Sequence, residues 1–217
     1  MKTLFLNPNS SERVTAVLGD AIRAAGGTPS PWEVRLLPGA PDVISSEADN
    51  LIAEAAVAAQ LPALAERFER IVLMSSLDTG YTTARKMFGN RVHGFTRSVL
   101  ARHRQLGARV QAITFGEEMA PLYDAIFAEG DTHGVVQSHT VCPSNPLALA
   151  HADTDRSAAQ LAATCDNLHA ASSTPVFVVG AVVLPTAAQL REQGRPWIVD
   201  PVADLLAFLS TQPDRSS

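Results

Sequence analysis

The residues best suited to chemistry follow an apolar run in the stretch VLMSSLDTGY, residues 72–81. Directly after that run come three hydroxyl groups and one carboxylate, those of Ser75, Ser76, Thr79 and Asp78. A buried strand of a parallel sheet delivers polar groups to the sheet edge in this way, and ligands bind at that edge. Hydroxyl and backbone N–H donors placed there can hold a carboxylate or an enolate oxygen, and a carboxylate can move a proton.

Three further breaks of the same kind occur in the chain, at residues 7–11, 114–117 and 180–186. The breaks are evenly spaced, because Asn7 and Ser75 are 68 positions apart and Thr114 and Ala181 are 67 apart. This spacing predicts two similar βαβ-type halves with pseudo-twofold symmetry. The four loops are then expected to line one cleft between the halves.

Apolar strands and helical patterns alternate along the whole chain, which predicts an α/β fold. We expect two pseudo-symmetric βαβ-type halves whose mainly parallel sheets face each other across a cleft. The predicted division is an N-terminal half at residues 1–105, a C-terminal half at 106–210 and a flexible tail at 211–217. The expected strands lie at residues 3–6, 32–37, 70–74, 91–93, 109–114, 135–141, 175–179 and 196–199.

The composition excludes several classes of protein. The 217 residues carry a net charge of −5 and are 46% hydrophobic and 18% charged, so neither disorder nor binding to nucleic acid is expected. No apolar run approaches the ~18 residues that span a bilayer, and the N-terminal apolar run is too short for a signal peptide. Two cysteines do not make a disulfide scaffold. The prediction is a cytoplasmic protein that acts on a small molecule, without a nucleic-acid or membrane partner.

Four segments resemble the hydantoin racemases: LFLNPNSSERVT, IVLMSSLDTGYTTARK, VFVVGAVVLP and IVDPVADLLAFL. In the second segment the likeness runs through Asp78, Gly80, Ala84 and Arg85, and together the segments cover nearly the whole chain. The resemblance implies the aspartate/glutamate racemase superfamily, which includes arylmalonate decarboxylase and maleate isomerase. It also implies that neither a metal nor an organic cofactor is needed.

The chain departs from this family at the two positions that matter most. The resemblance implies two cysteines, one from each half, that exchange protons with opposite faces of the substrate carbon. Here those positions hold Ser75 and Ala181. A serine hydroxyl is far too weak an acid to act unaided as such a base, and alanine transfers no proton. Cys142 and Cys165 lie elsewhere in the sequence and are expected in the core.

The remaining candidates for proton transfer come from both halves. We assign candidate catalytic roles to Ser75, Asp78, Glu117 and His139, with His93 and Tyr123 as further acid–base groups. Structural alternatives stay open, since Asp78 can brace its loop and Glu117 can favour a helix N-terminus. The candidate substrate-binding residues are Asn7, Asn9, Ser10, Ser76, Thr79, Gly80, Tyr81, Thr114, Phe115, Gly116, Gly180, Ala181 and Val182.

Three hypotheses follow from these residues. The first is a cofactor-independent enzyme with altered, non-cysteine chemistry that stabilises an enolate-like state of a small carbonyl or carboxylate compound. It would be an isomerase, a lyase such as a decarboxylase, or a cyclase. The second is a genuine hydantoin or amino-acid racemase with other acid–base residues, and the third is a non-catalytic small-molecule binding protein. A homo-oligomer also stays open.

Overall fold

The first sheet is built from the N-terminal half of the chain. The computed structural model describes residues 2–130, 132–144 and 154–213. Within these residues, four parallel strands form one sheet in the order β2-β1-β3-β4. They are β1 (Thr3–Asn7), β2 (Trp32–Leu36), β3 (Arg70–Leu73) and β4 (Val92–Gly94). The two central strands β1 and β3 are buried throughout, as expected for a sheet covered on both faces.

The second sheet repeats the order of the first. Its described strands are β5 (Val110–Phe115), β6 (Val136–Cys142) and β7 (Val176–Val178), paired in parallel in the order β6-β5-β7. β5, β6 and β7 thus correspond to β1, β2 and β3. Both sheets put the carboxyl ends of their central strands at the loops that were predicted to form the cleft. The α/β fold class is confirmed.

One predicted strand is not formed. Instead of a strand at residues 196–199, the structure has a single parallel bridge between Ile198 and Val176. The segment lies between a turn, in which the Ile198 N–H donates to the Arg195 carbonyl at 3.0 Å, and Asp200, the N-cap of the last described helix, so it has room for one bridge only. The bridge nevertheless occupies the place that β4 takes in the first sheet.

Helices join the strands and cover both sheets. Ser11 and Ser46 begin the first two helices as N-caps, each accepting a hydrogen bond from a backbone N–H three residues on. The described helices are α1 (Glu12–Ala24), α2 (Glu47–Arg67), α3 (Tyr81–Phe88), α4 (Phe95–Gln105), α5 (Ala120–Ala128), α6 (Thr154–Ser172), α7 (Leu184–Glu192) and α8 (Pro201–Ser210).

The two halves share one apolar core. A single cluster of buried side chains contains Phe5 and Leu18 of the first half together with Ala112, Phe177 and Leu205 of the second. The last described helix, α8, packs on α4 and α1 of the first half. His103 of α4 and Asp204 of α8 form a hydrogen bond at 3.0 Å between Nε2 and Oδ2. The halves are therefore fixed to each other by packing at their centre.

Some predictions fall outside the described residues. The predicted flexible tail at 211–217 is described only as far as residue 213. No helix among the described residues is long and apolar enough to cross a membrane. The division at residue 105, the cytoplasmic location and the oligomeric state stay predictions.

Candidate active site

All four predicted loops meet at one cavity of about 210 Å³ at the carboxyl ends of the two sheets. Eight of the predicted site residues line it: Asn9, Ser75, Ser76, Phe115, Gly116, Gly180, Ala181 and Val182. Tyr123, one of the further acid–base candidates, also lines it, together with seven residues that were not assigned to the site: Val14, Val43, Ile44, Ser45, Met74, Met119 and Val179. The loops after β1, β3, β5 and β7 thus converge at the expected edge of the sheets.

The Ser75 hydroxyl is held inside its own loop. Its oxygen accepts a hydrogen bond from the Thr79 N–H at 2.8 Å and donates its proton to the Thr79 hydroxyl at 3.0 Å. The Thr79 hydroxyl in turn donates to the side-chain carbonyl of Asn50 at 2.8 Å. An amide carbonyl only accepts, so the direction of this chain is fixed. Ser75 therefore has no proton left to offer to a ligand.

Ser76 and Tyr123 form a second hydroxyl pair, across the two halves of the chain. The Ser76 Oγ and the Tyr123 Oη are 2.8 Å apart, and either can be the donor. Two hydroxyls have two protons, and their mutual hydrogen bond uses one of them. Burial raises the pKa of Tyr123, against the lowering effect of the Ser76 hydroxyl, so the phenol stays protonated at neutral pH. The pair therefore offers one hydroxyl donor to the cavity.

Backbone N–H groups add to the donors. The N–H groups of Ser76, Gly180 and Ala181 pair with no acceptor among the described residues. All three residues line the cavity, two of them from the second half. Backbone donors without partners are uncommon in folded proteins unless water or a ligand binds them. Together with the hydroxyl pair they can hold an anionic oxygen.

The rest of the cavity wall is apolar and uncharged. Among the described residues, no Asp, Glu, His, Lys, Arg or Cys side chain lines this cavity. Tyr123 is therefore the one acidic side chain within it. The walls are formed by aliphatic, methionine and phenylalanine side chains.

Asp78 lies behind the loop, outside the cavity wall. Its carboxylate accepts hydrogen bonds from the Thr96 N–H at 2.8 Å, the Arg97 N–H at 2.9 Å and the Arg97 Nη1 at 3.0 Å. A Cβ added at Gly94 would lie 2.4 Å from the Asp78 Cγ, so only glycine permits this approach. Burial raises the pKa of Asp78 to about 6, although the Arg97 guanidinium and these N–H donors lower it. The geometry supports the bracing alternative for Asp78.

The other predicted residues of the first half also lie outside the cavity wall. The Asn7 side-chain amide donates to the Asn9 Oδ1 at 2.6 Å, and so supports a residue that does line the cavity. Gly80 has a φ of +80°, and a Cβ there would lie 2.8 Å from Val57 Cγ1. The remaining residues of this group are Ser10, Thr79 and Tyr81, which the structure also leaves off the cavity wall.

Three predicted residues of the second half are likewise off the cavity wall. The Thr114 hydroxyl and the His139 Nε2 are 2.6 Å apart, and the His139 Nδ1 lies 2.7 Å from the Asp124 Oδ1. This chain ties β5 and β6 to α5, the helix that carries Tyr123. Glu117 is exposed in a short 3₁₀ turn before α5.

Neither cysteine lies at the cavity. Cys142 and Cys165 belong to a buried cluster between the second sheet and α6, and burial raises the pKa of Cys165 to about 12. The expectation that both are core residues is therefore in keeping with their positions. His93, a further acid–base candidate, lines a different cavity.

Comparison with known proteins identifies the family. A model of the family described as Asp/Glu/hydantoin racemase matches residues 4–208. The chain therefore belongs to the Asp/Glu/hydantoin racemase family, which confirms the resemblance found in its sequence. No protein of curated function matches the sequence significantly.

Solved structures show the same fold at low sequence identity. Allantoin racemase from Klebsiella pneumoniae is similar with a TM-score of 0.82 and 19% identity, over 97% of this chain and 86% of that one. Allantoin racemase from Pseudomonas fluorescens also has a TM-score of 0.82, with 14% identity over 97% of this chain and 90% of that one. Arylmalonate decarboxylase is more distant, with a TM-score of 0.59 and 16% identity over 98% and 94% of the two chains. At these identities the likeness establishes the fold.

Proposed function

We propose that the protein is a cofactor-independent lyase that decarboxylates a small carboxylic acid through an enolate-like state. The observation that carries this proposal is the combination of hydrogen-bond donors with an absence of basic side chains among the described residues of the cavity wall. The family includes both racemases and lyase-like relatives, so the choice between them rests on the chemistry of this cavity.

Racemisation is the less suitable reaction for such a cavity. Removal of an α-proton requires a base whose pKa lies near the working pH, and its return requires an acid on the opposite face. Ser75 has its proton committed to Thr79, and Ala181 stands at the opposing position. The raised pKa of Tyr123 leaves almost none of that phenol ionised as a base at neutral pH.

Decarboxylation needs no base to create the same kind of carbanion. In a substituted malonate, the bond between the α-carbon and one carboxylate breaks, CO₂ leaves, and the electron pair stays on the α-carbon. The second carboxylate takes up that charge as an enediolate, to which the Ser76–Tyr123 pair and the N–H groups of Gly180 and Ala181 can donate hydrogen bonds. A proton from the hydroxyl pair, replaced from solvent, then adds to the α-carbon and gives a monocarboxylate.

The apolar walls suit the departing carboxylate. Val43, Ile44 and Met119 are among the apolar side chains that line the cavity. A carboxylate against these side chains loses its hydration, while neutral CO₂ does not depend on hydration. The walls therefore favour loss of charge from one end of the substrate, and the donors favour its build-up at the other.

Proton NMR in D₂O of the purified protein with substituted malonates, hydantoins and amino acids tests the proposal. With phenylmalonate we expect loss of CO₂ and phenylacetate that carries one deuterium introduced by the reaction. The matched control is the protein with both Ser76→Ala and Tyr123→Phe, in which this activity should fall roughly 10- to 150-fold while the protein remains folded. Exchange of the α-proton of a hydantoin or an amino acid without decarboxylation would instead favour the racemase hypothesis and contradict ours.

A small-molecule binding protein is the second candidate. This candidate is favoured by the residues at the two positions where the family resemblance implies cysteines. Ser75 and Ala181, which stand there, transfer no proton by themselves. Saturable binding of phenylmalonate or phenylacetate with no turnover in any of the reactions above would support this candidate over the lyase.

A further inference from the structure

A second cavity, of about 420 Å³, lies where α3, β4 and α4 of the first half meet α8 of the second. We call it the Arg85 cavity, and its wall includes Tyr81, Arg85, His93, Arg97, Ala101 and Phe208. It shares no lining residue with the candidate active site. Its chemistry also differs, because charged and aromatic side chains form much of its wall.

His93 has an unsatisfied imidazole at this cavity. The residue is only 7% exposed, and its ring nitrogens have no hydrogen-bond partner among the described residues. Burial, with the nearby charges of Arg70 and Arg85, lowers the pKa of His93 to about 3, so the ring is neutral. A neutral imidazole has one N–H donor and one acceptor nitrogen, and neither is among the fully buried atoms that lack a partner, so both are open to the cavity. The cavity is the space from which a partner can reach it.

Arg85 supplies a positive charge that no carboxylate balances. Its guanidinium donates to the carbonyls of Gly89 and Val92, at 2.9 and 3.1 Å, and to the Asn90 Oδ1 at 2.6 Å. These acceptors are neutral, and within the described chain Arg85 forms no ion pair. A guanidinium has five N–H donors, so two remain after these three bonds.

Arg97, the second arginine of the wall, is different. Its guanidinium pairs with both Asp78 and Glu129, so its charge is already matched. Arg85 and Arg97 are thus equalled in number by Asp78 and Glu129, but both carboxylates contact Arg97, so the positive charge without a contacting carboxylate is that of the Arg85 guanidinium. The remaining wall offers the Phe208 ring, which contacts His93 edge-on at 6.1 Å, and the Ala101 methyl.

From these features we infer that the Arg85 cavity is a second ligand site, for a small organic monoanion with one carboxylate and an apolar body. The carboxylate accepts hydrogen bonds from the free donors of Arg85 and from the His93 imidazole N–H. The apolar body packs against Phe208 and Ala101. A single carboxylate matches the one guanidinium that lacks a contacting carboxylate, and a bidentate arginine contact suits its planar shape.

Benzoate is a suitable probe, with benzamide as its uncharged match. The His93 Cε1–H signal, assigned by its loss in a His93→Leu variant, is followed by NMR during titration of the full chain. We expect a saturable shift with benzoate in the millimolar range or tighter, and at least about tenfold weaker binding of benzamide. Equal shifts with both probes, or no saturable shift with benzoate, would overturn the inference.

Two sets of variants place the binding in this cavity. Ala101→Leu fills the cavity without altering Arg85 or His93, and should weaken benzoate binding at least about tenfold. The matched control is Ala125→Leu, at an exposed position of α5 outside the cavity wall, which should bind as the wild type does. The His93 shift should also persist in the Ser76→Ala/Tyr123→Phe protein. Benzoate shifts confined to Tyr123 would assign the binding to the active site and overturn the inference.

Discussion

The Ser76–Tyr123 pair allows a prediction that follows from counting hydroxyl protons. In the wild type, two hydroxyls share one hydrogen bond of 2.8 Å and one proton stays available to the ligand. Tyr123→Phe removes one hydroxyl and also the acceptor that Ser76 used, so the Ser76 proton becomes available. Ser76→Ala has the converse effect and leaves the Tyr123 proton available. Each single variant therefore retains one donor, and only the double variant has none.

The magnitudes follow from the cost of a hydrogen bond to a charged oxygen. Loss of the last hydroxyl donor to an anion costs ~1.5–3 kcal/mol, which corresponds to roughly 10- to 150-fold in affinity or in kcat/KM. Since the two oxygens are adjacent, we expect each single variant to lose less than about threefold. The double-mutant cycle should thus show a loss in the double variant that exceeds the sum of the two single losses.

Two measurements check this cycle. The first is kcat/KM for the malonate that reacts fastest in the D₂O experiment, and the second is the Kd of phenylacetate, which does not depend on turnover. Ser45→Ala is the matched control, because Ser45 lines the same cavity but its hydroxyl donates to Asp49 at 3.1 Å. That variant should bind phenylacetate as the wild type does. Additive losses, or a single variant as impaired as the double one, would refute the proton count.

Three further predictions concern stability and reactivity. The pKa of Asp78 is about 6 in the folded chain against a usual 3.8, so the stability it contributes is present below about pH 4 and is lost as the pH rises through 6. Urea unfolding should therefore show the stability of the wild type relative to Asp78→Asn falling by ~2.5 kcal/mol between about pH 4 and about pH 7, and a pH-independent difference would contradict the shift. Gly94→Ala should destabilise the fold by about 1–3 kcal/mol, because the new methyl would meet the Asp78 carboxyl, whereas Gly130→Ala, with nothing within 4 Å, should not change the urea midpoint. Ala181→Cys should introduce exchange of the substrate α-proton with D₂O that the parent protein lacks, and unchanged isotope incorporation would show that position 181 does not face the α-carbon.

The sequence was informative about the fold because its signals are local. Strand and helix patterns alternate regularly, and parallel strands place their following loops at one edge, so convergence of the four loops could be foreseen from the spacing of Asn7, Ser75, Thr114 and Ala181. The strand at 196–199 was predicted from its apolar residues alone. It is shortened to one bridge because a turn from Arg195 to Ile198 precedes it and the helix N-cap Asp200 follows it, and a hydrophobic pattern reports neither.

The site was less predictable because its members are chosen by three-dimensional approach. Asp78 looked reactive from its position in a polar loop, but the absence of a Cβ at Gly94, 16 positions on, lets the N-terminus of α4 enclose its carboxylate. Tyr123 was considered only as one acid–base group among several, since nothing in α5 indicates which face meets Ser76. The loop that contributes Val43, Ile44 and Ser45 follows β2, an edge strand of the first sheet. The rule that ligands bind beyond the carboxyl ends of parallel strands would have included this loop.

The position of α8 has a consequence for synthesis of the protein on the ribosome. The buried face of α4, including Val99 and Leu100, is completed by Leu205 and Leu209 of α8, about a hundred residues later in the chain. At typical translation rates of ~5–20 residues per second, that distance corresponds to roughly 5–20 seconds. During this interval the nascent first half exposes an apolar helix face whose native partner has not yet been made. We expect chaperone binding to nascent chains to begin once α4 has emerged and to end after residues 201–210 have left the exit tunnel.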